Sequence, residues 1–295
     1  MDLSLSVLGA LCALGSAFTW AVISLLVRML APYFSSVTIN VARSLVSAVI
    51  LLAWVMGTAG PEAITGLPAG VLALLALSVI VASALGDTVF FERTKSLGLA
   101  RAMTISMTYP LISAGLAAGL IGEAITAPVL IGSLITLGGI ALIVTAKAEA
   151  GLSRDRFWTG VGAALLAALA WAVSAIMLKA PLDQVDPITA QAVRLPVVAL
   201  VLLLSPWGWG SAGQIRGHGR AWVAHLLLVG ALTAGSSVLF VAGLKYTGVA
   251  IATVLSSCAP MFALPLGRVF LGEPLTWRAL LGTAITVLGI VVLSL

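Results

Sequence analysis

The chain has 295 residues, of which 61% are hydrophobic and only 8% are charged. Soluble domains carry roughly a quarter charged residues, so this composition excludes water as the solvent around most of the chain. The net charge of +5 does not indicate nucleic-acid binding, because the Lys and Arg residues fall mostly at the ends of apolar runs, where they anchor to lipid headgroups. Cys12 and Cys258 lie inside apolar runs and are expected to be packing residues.

Apolar runs recur from one end of the chain to the other. A helix of about 20 residues crosses a hydrocarbon core roughly 30 Å thick, and its backbone groups are bonded internally. We therefore predict an all-α integral membrane protein with ten transmembrane helices. The predicted spans are 7–28, 36–57, 69–91, 98–120, 127–146, 158–179, 187–206, 222–244, 249–271 and 277–295.

The chain is predicted to be a tandem duplication, 1–146 and 158–295, joined by the polar loop 147–157. Distinctive residues of one half recur in the other at an offset of 150 or 151, which chance alignment of Leu with Leu does not explain. Two five-helix repeats must lie inverted relative to each other, because five is odd, and such repeats usually enclose a central site. Matched pairs include Trp20 and Trp171, Arg43 and Arg194, Lys95 and Lys245, Ser106 and Ser256, and Pro110 and Pro260.

A proline interrupts the fourth predicted helix of each half. Pro110 follows Ser106, and Pro260 follows Ser256, at the same spacing. Each proline removes one helix hydrogen bond, and nearby hydroxyl groups can bond the freed carbonyl. Two interpretations stay open: a gating kink that bends during transport, or a static kink needed for packing.

Trp20 and Trp171 lie in the middle of the first predicted helix of each half. Interfacial Trp residues sit at span ends, whereas a mid-span Trp is expected to face protein or a cavity with its indole N–H bonded. Large flat apolar walls suit amphipathic or aromatic solutes. Core packing is the alternative interpretation.

Arg43 and Arg194 form a pair of intramembrane charges, which are costly and indicate function by default. A guanidinium group could bind a carboxylate or a phosphate. A structural role, in which each Arg bonds helix-end carbonyls near the membrane interface, is the favoured alternative.

Asp87 has no carboxylate counterpart in the second half. It is the best candidate for a proton-coupling group or a contact to a substrate ammonium, unless it simply reaches the interface. Tyr109 is also unmatched. With Trp20, Trp171, Ser106 and Ser256, these two residues are the predicted substrate cavity, and the unmatched pair is where substrate choice is expected to arise.

Small and capping residues also recur in both halves. Gly-Glu-x-x-Thr turns are expected to end one helix with glycine and cap the next with threonine. Glycines seven residues apart permit close helix packing. These positions are Gly122 to Thr126 and Gly272 to Thr276 for the turns, and Gly132, Gly139, Gly282 and Gly289 for the packing face.

Several segments together resemble the drug/metabolite transporter superfamily, specifically its EamA-type ten-helix exporters, over essentially the whole chain. They are Trp20 with Ala21, Gly86 to Phe91, the Lys-x-x-Gly segments at Lys95 and Lys245, and the turns at Glu123 and Glu273. In character the chain is most similar to bacterial aromatic amino acid exporters. The resemblance implies a central cavity between the halves and efflux of small metabolites by alternating access across the bacterial inner (plasma) membrane.

We therefore predict a secondary transporter that exports amino acids, aromatic ones among them, or similar amphipathic metabolites. The alternatives are broad-specificity drug or metabolite efflux, a passive facilitator and, from another class, an intramembrane enzyme. His218 and His225 form no metal or nucleophile motif, which disfavours the enzyme. No nucleotide-binding loop is present, so a gradient, with protons as the candidate ion, would supply energy. We expect no cofactor or metal, and a monomer in the lipid bilayer.

Two signals disagree on membrane orientation, which stays open. Members of the family usually place both termini in the cytoplasm, whereas the positive-inside rule assigns the cytoplasm to the opposite side. That side carries Arg28, Arg93, Lys95, Lys147, Arg154, Arg156, Arg216, Arg220, Arg268 and Arg278, against Lys179 and Lys245 on the side of the termini.

Overall fold

The computed structural model describes residues 3–121, 127–145 and 154–293, and this part of the chain is helical, with no strand. Its helices are α1 (Leu3–Leu30), α2 (Ser36–Thr58), α3 (Glu62–Thr65), α4 (Ala69–Val79), α5 (Thr88–Arg93), α6 (Leu99–Ser106), α7 (Tyr109–Ile121), α8 (Ala127–Thr145), α9 (Arg154–Leu178), α10 (Pro187–Leu204), α11 (Ser211–Arg216), α12 (Arg220–Thr247), α13 (Val249–Ser256), α14 (Ala259–Leu271) and α15 (Trp277–Leu293).

Seven helical stretches of the described residues are long and apolar enough to cross a membrane. A multi-pass membrane protein follows from them, and the number ten stays a prediction. The stretches are Ser4–Leu30, Ser36–Thr58, Ala69–Arg93, Arg154–Leu178, Pro187–Leu204, Arg220–Thr247 and Ile251–Leu271, and Trp277–Val292 is a shorter apolar helix.

The third predicted span contains a feature that the apolar pattern does not indicate. Between α4 and α5 the chain forms a π-helix, Ile80–Asp87. The wider turn rotates the residues after it relative to an α-helix, and π-helical turns are frequent at functional sites. Asn40 on α2 stabilises the turn, since its Nδ2 donates to the Ser83 carbonyl and to Thr88 Oγ1, each at 2.7 Å.

The two proline-containing spans are each broken immediately before the proline. α6 ends at Ser106 and α7 begins at Tyr109, while α13 ends at Ser256 and α14 begins at Ala259. Hydroxyl groups bond carbonyls at both breaks: Thr108 Oγ1 donates to the Ile105 carbonyl at 2.8 Å and Ser257 Oγ to the Thr253 carbonyl at 2.6 Å. These are not the Ser106 and Ser256 carbonyls that the prolines leave free. The side chains at each break therefore bond the last turn of the helix that ends there.

Small residues bring α1 and α12 together as an antiparallel pair. A Cβ on Gly9, near the start of α1, would lie 2.7 Å from a methyl carbon of Thr247 at the end of α12. At the other end, the rings of Tyr33 and Trp222 have centroids 3.8 Å apart. Since α1 belongs to the first predicted half and α12 to the second, this contact packs the two halves against each other.

Helices α8 and α15 pack through matched glycines, which confirms the predicted close packing. A Cβ on Gly139 would lie 2.7 Å from the Gly282 carbonyl oxygen, and one on Gly289 would lie 2.8 Å from the Gly132 carbonyl oxygen. The C-terminal part of each helix therefore meets the N-terminal part of the other. The two helices are antiparallel with their backbones in direct contact.

The second Gly-Glu-x-x-Thr turn has the predicted capping geometry. Gly272 ends α14 with a φ of 65°, and Thr276 Oγ1 accepts from the Ala279 N–H at 3.2 Å. The first turn, with Gly122, Glu123 and Thr126, lies outside the described residues.

Glu273 of that turn joins three helices at one end of the bundle. Its Oε1 accepts from Arg28 Nη1 at 2.8 Å and from the Leu99 N–H at 2.6 Å. Gly98 makes room for the carboxylate, since a Cβ there would lie 3.3 Å from Glu273 Oε2 and the residue has a φ of 79°. The carboxylate thus caps α6 and pairs with the end of α1.

Glu273→Ala is expected to lower the free energy of unfolding by about 1 to 3 kcal/mol, because two charge-assisted hydrogen bonds are lost from a partly buried site. Thermal unfolding of the detergent-solubilised protein measures the change. Asp183→Ala, at an exposed carboxylate, is the control. Equal losses in the two variants would contradict the proposed bridge.

Candidate functional site

A cavity of about 150 Å³ lies at the centre of the bundle, between the two predicted halves. Its wall combines aromatic rings, hydroxyl groups and three charged side chains, which is unusual inside an apolar bundle. The residues that line it include Ser16, Trp20, Arg43, Ser44, Ser83, Asp87, Tyr109, Trp171, Ser174, Gln191, Arg194, Thr233, Ser236, Ser237, Phe240 and Ser256.

Asp87 ends the π-helix and is held on both sides of its carboxylate. One oxygen forms an ion pair with Arg43 Nη2, and the other accepts from Trp171 Nε1 at 2.8 Å. Gly86 permits the indole to approach, because a Cβ at this position would lie 3.0 Å from Trp171 Nε1. Asp87 therefore joins α2 of the first half to α9 of the second.

Arg43, the partner of Asp87 in this ion pair, is buried and makes further contacts with residues of the first half. Its Nε donates to Asn40 Oδ1 at 2.8 Å, and its guanidinium carbon lies 5.1 Å from the Phe91 ring centroid and 5.8 Å from that of Trp20. Cation–π contact and the ion pair together offset the desolvation of a guanidinium at membrane depth.

Arg194 occupies the corresponding position in the second half and is bonded by uncharged side chains. Its Nη1 donates to Gln191 Oε1 at 3.0 Å and its Nη2 to Ser174 Oγ at 3.3 Å. Among the described residues, its Nε has no hydrogen-bond partner and no carboxylate forms an ion pair with it. Ser237 stands at the position equivalent to Asp87.

The two matched Trp residues meet at the cavity. Their rings pack edge to face with centroids 5.6 Å apart, and Trp20 also lies 5.9 Å from Phe91. The expected bond to the indole N–H exists at Trp171. It does not exist at Trp20, whose Nε1 is buried and has no partner among the described residues.

Tyr109 and Ser256 connect the two broken spans across the cavity. The Tyr109 hydroxyl lies 2.6 Å from Ser256 Oγ and donates to the Thr253 carbonyl at 3.3 Å. Ser106 is buried outside the cavity wall, where its Oγ donates to the Met103 carbonyl at 3.1 Å. Pro110 and Pro260 are also buried and do not line the cavity.

The arrangement differs from the sequence-based interpretation at several residues. Ser106 does not line the cavity in which it was predicted to lie, and the Trp20 N–H lacks the expected partner among the described residues. Asp87 does not reach the surface of the bundle, since only 5% of it is exposed, and it forms an ion pair with Arg43. Arg43 bonds Asp87 and Asn40 in place of helix-end carbonyls.

Sequence reasoning missed Asn40 and Gln191, although a signal was present. Each lies three residues before the matched Arg and bonds to it. Each amide also donates to a backbone carbonyl of another helix, Asn40 to Ser83 and Gln191 to Ser237. A polar residue recurring at the offset of the Arg pair was the available indication.

A bundle of apolar helices around a buried, charged and aromatic cavity defines a membrane protein built to hold a small solute. The chain matches the EamA-like transporter family over residues 7–145 and again over 158–295. It belongs to this family and is a membrane transporter.

Two individual proteins are similar over nearly their full lengths. An uncharacterized transporter of Archaeoglobus fulgidus is 26% identical over 290 residues, which are 97% of each chain. A protein of known crystal structure is 17% identical, with a TM-score of 0.68 over 99% of this chain and 96% of the other. The second likeness shows the fold.

Proposed function

We propose that this protein is a secondary transporter that exports amino acids, aromatic ones included, or similar small amphipathic metabolites by alternating access across the plasma membrane. The observation that carries the proposal is the central cavity, in which Arg43, Asp87 and Trp171 connect the two halves. In the proposed architecture, ten spans form inverted repeats, 1–146 and 158–295, linked by 147–157. The solute binds where the repeats meet.

The antiparallel packing of α8 against α15 supports the inversion. At the offset of 150, Gly139 is equivalent to Gly289, and Gly132 is equivalent to Gly282. Gly139 contacts Gly282, and Gly289 contacts Gly132, so the two contacts are equivalent to each other. Equivalent helices related by a twofold axis in the membrane plane have this reciprocal arrangement.

The broken spans support alternating access. α6 with α7 and α13 with α14 are each interrupted next to the cavity, and the Tyr109–Ser256 hydrogen bond joins the breaks. Discontinuous helices beside a cavity are common in secondary transporters. We assign Pro110 and Pro260 to this gating bend, and Glu273 with Arg28 to closure at one end of the bundle.

Protons are the proposed coupling ion because Asp87 is the carboxylate of the cavity wall in the described part of the chain. Protonation would remove the charge of Asp87 and so weaken the hydrogen bond from Trp171, which joins the two halves, as well as the ion pair with Arg43. Proton-driven and uncoupled transport are separated by an imposed pH gradient.

Transport by the purified protein in liposomes tests the proposal. We expect saturable uptake of aromatic amino acids that is accelerated by unlabelled substrate on the opposite side. Unsaturable flux without counterflow would indicate a passive facilitator, and the absence of transport across an amino-acid and metabolite panel would refute the proposal.

Tyr109→Phe is expected to reduce transport about tenfold while the protein stays folded, because the ring remains and the hydrogen bond between the broken spans is lost. Initial rates in the same liposomes measure the effect. Tyr33→Phe is the matched control, at an exposed residue outside the cavity. Wild-type rates in Tyr109→Phe would exclude this hydrogen bond from the transport cycle.

A further inference from the structure

The matched Arg and Trp residues have different hydrogen-bond partners in the two halves. In one set, the Asp87 carboxylate bonds both Arg43 and Trp171. The equivalent set consists of Arg194 and Trp20, with Ser237 in place of the aspartate. The two donors of this second set, Arg194 Nε and Trp20 Nε1, are both buried without a partner among the described residues.

The charge of the cavity wall is also unbalanced. It has two guanidinium groups, Arg43 and Arg194, and one carboxylate, Asp87. Asp87 attracts Arg194 from a distance but forms its ion pair with Arg43. One positive charge is therefore uncompensated within the described cavity wall, and burial of an uncompensated charge is costly.

We infer that Arg194 and Trp20 bind the carboxylate of the transported solute, which takes the place that an aspartate would have at Ser237. This inference rests on the proposed function. A single carboxylate supplies one negative charge, accepts from a guanidinium and an indole N–H as Asp87 does, and balances the wall. The apolar part of the solute packs against Trp171 and Phe240, which line the same cavity.

The same geometry assigns a minor role to a substrate ammonium group. Asp87 is the carboxylate available to an ammonium in the described wall, and its two oxygens are engaged by Arg43 and Trp171. The serine hydroxyls can accept from an ammonium but do not require one. The recognised class is thus a small monocarboxylate with an apolar or aromatic body, with or without an amino group.

Ligand-dependent thermal stabilisation of the detergent-solubilised protein separates these features. The probes are L-phenylalanine, 3-phenylpropionate, 2-phenylethylamine and phenyl phosphate. We expect stabilisation by the first two, which share the carboxylate, and none by the amine. Stronger stabilisation by the amine or by the phosphate than by 3-phenylpropionate would overturn the inference.

Two variants locate the carboxylate. Arg194→Gln is expected to weaken 3-phenylpropionate binding about tenfold or more, since a charge-assisted hydrogen bond is lost. Arg278→Gln, at an exposed position outside the cavity, is expected to bind as the wild type does. Ser237→Asp places a carboxylate within the chain itself, so we expect it to raise the melting temperature without ligand and to abolish stabilisation by 3-phenylpropionate.

The second variant keeps the test decisive if Arg194→Gln fails to fold. Carboxylate binding that persists in folded Ser237→Asp would overturn the assignment of Arg194. If Arg194→Gln transported aromatic amino acids at the wild-type rate and with unchanged affinity, the assignment of Arg194 would be overturned and the proposed function would stand. The absence of both binding and transport in the wild type would instead remove the proposed function.

Discussion

Asp87→Asn is expected to lower the free energy of unfolding by about 3 to 5 kcal/mol and to abolish transport. The amide keeps the shape of the carboxylate and can still accept from Trp171. It leaves Arg43 charged and buried with no anion, and removal of one member of a buried ion pair costs far more than the pair contributes. Thermal or denaturant unfolding and liposome uptake measure the two effects separately.

The double variant Arg43→Gln, Asp87→Asn distinguishes charge burial from loss of shape. With both charges removed, we expect stability to recover most of the way to the wild type, because no uncompensated ion remains. Transport should stay absent, since the charged carboxylate that accepts from Trp171 of the other half is gone. Asp155→Asn, at an exposed helix end, controls for the substitution itself. Equal stability of the single and double variants would contradict a buried ion pair.

Gly139→Ala is expected to destabilise the protein by about 1 to 3 kcal/mol, the usual cost of inserting atoms into a packed core. The added Cβ would lie 2.6 Å from the Thr286 backbone nitrogen and 2.7 Å from the Gly282 carbonyl oxygen, and backbone cannot move aside as a side chain can. α8 and α15 must therefore separate.

Gly138→Ala is the matched control for this effect, one residue away on the same helix. A Cβ on Gly138 meets no atom within 4 Å, so alanine there is expected to be neutral or to stabilise by up to about 1 kcal/mol through its helix propensity. Gly289→Ala should reproduce the loss seen for Gly139→Ala. Melting temperatures in detergent give the comparison, and a loss of equal size at Gly138 would contradict contact with α15 as the cause of the loss at Gly139.

Much of the fold follows from the sequence because the bilayer leaves few alternatives. Lipid cannot bond backbone groups, so each long apolar run must be a helix. Pro110 and Pro260 indicated where two spans are interrupted. Glycines seven residues apart indicated that α8 and α15 each have a face suited to close packing, although not that the two helices meet. The matched Trp and Arg residues indicated a shared site because buried Arg is expensive wherever it occurs.

The partners of these residues could not be predicted in the same way. Arg43 and Asp87 are 44 residues apart, and Trp171 is 84 residues from Asp87. Helical periodicity shows which residues share a face but not which face of another helix they meet. The π-helix, which changes the face on which Asp87 lies, has no apolar signature of its own.

The sequence by itself determined an apolar helical protein with a duplicated pattern, because hydropathy and local backbone chemistry act along the chain. Only the tertiary structure decided that Asp87 bonds Arg43 and Trp171, whereas Arg194 Nε and Trp20 Nε1 have no partner in the described part of the chain. The physical reason is that ion pairing inside a membrane depends on which side chains are brought within a few ångströms of each other. That proximity is set by how the helices of both halves pack around one cavity.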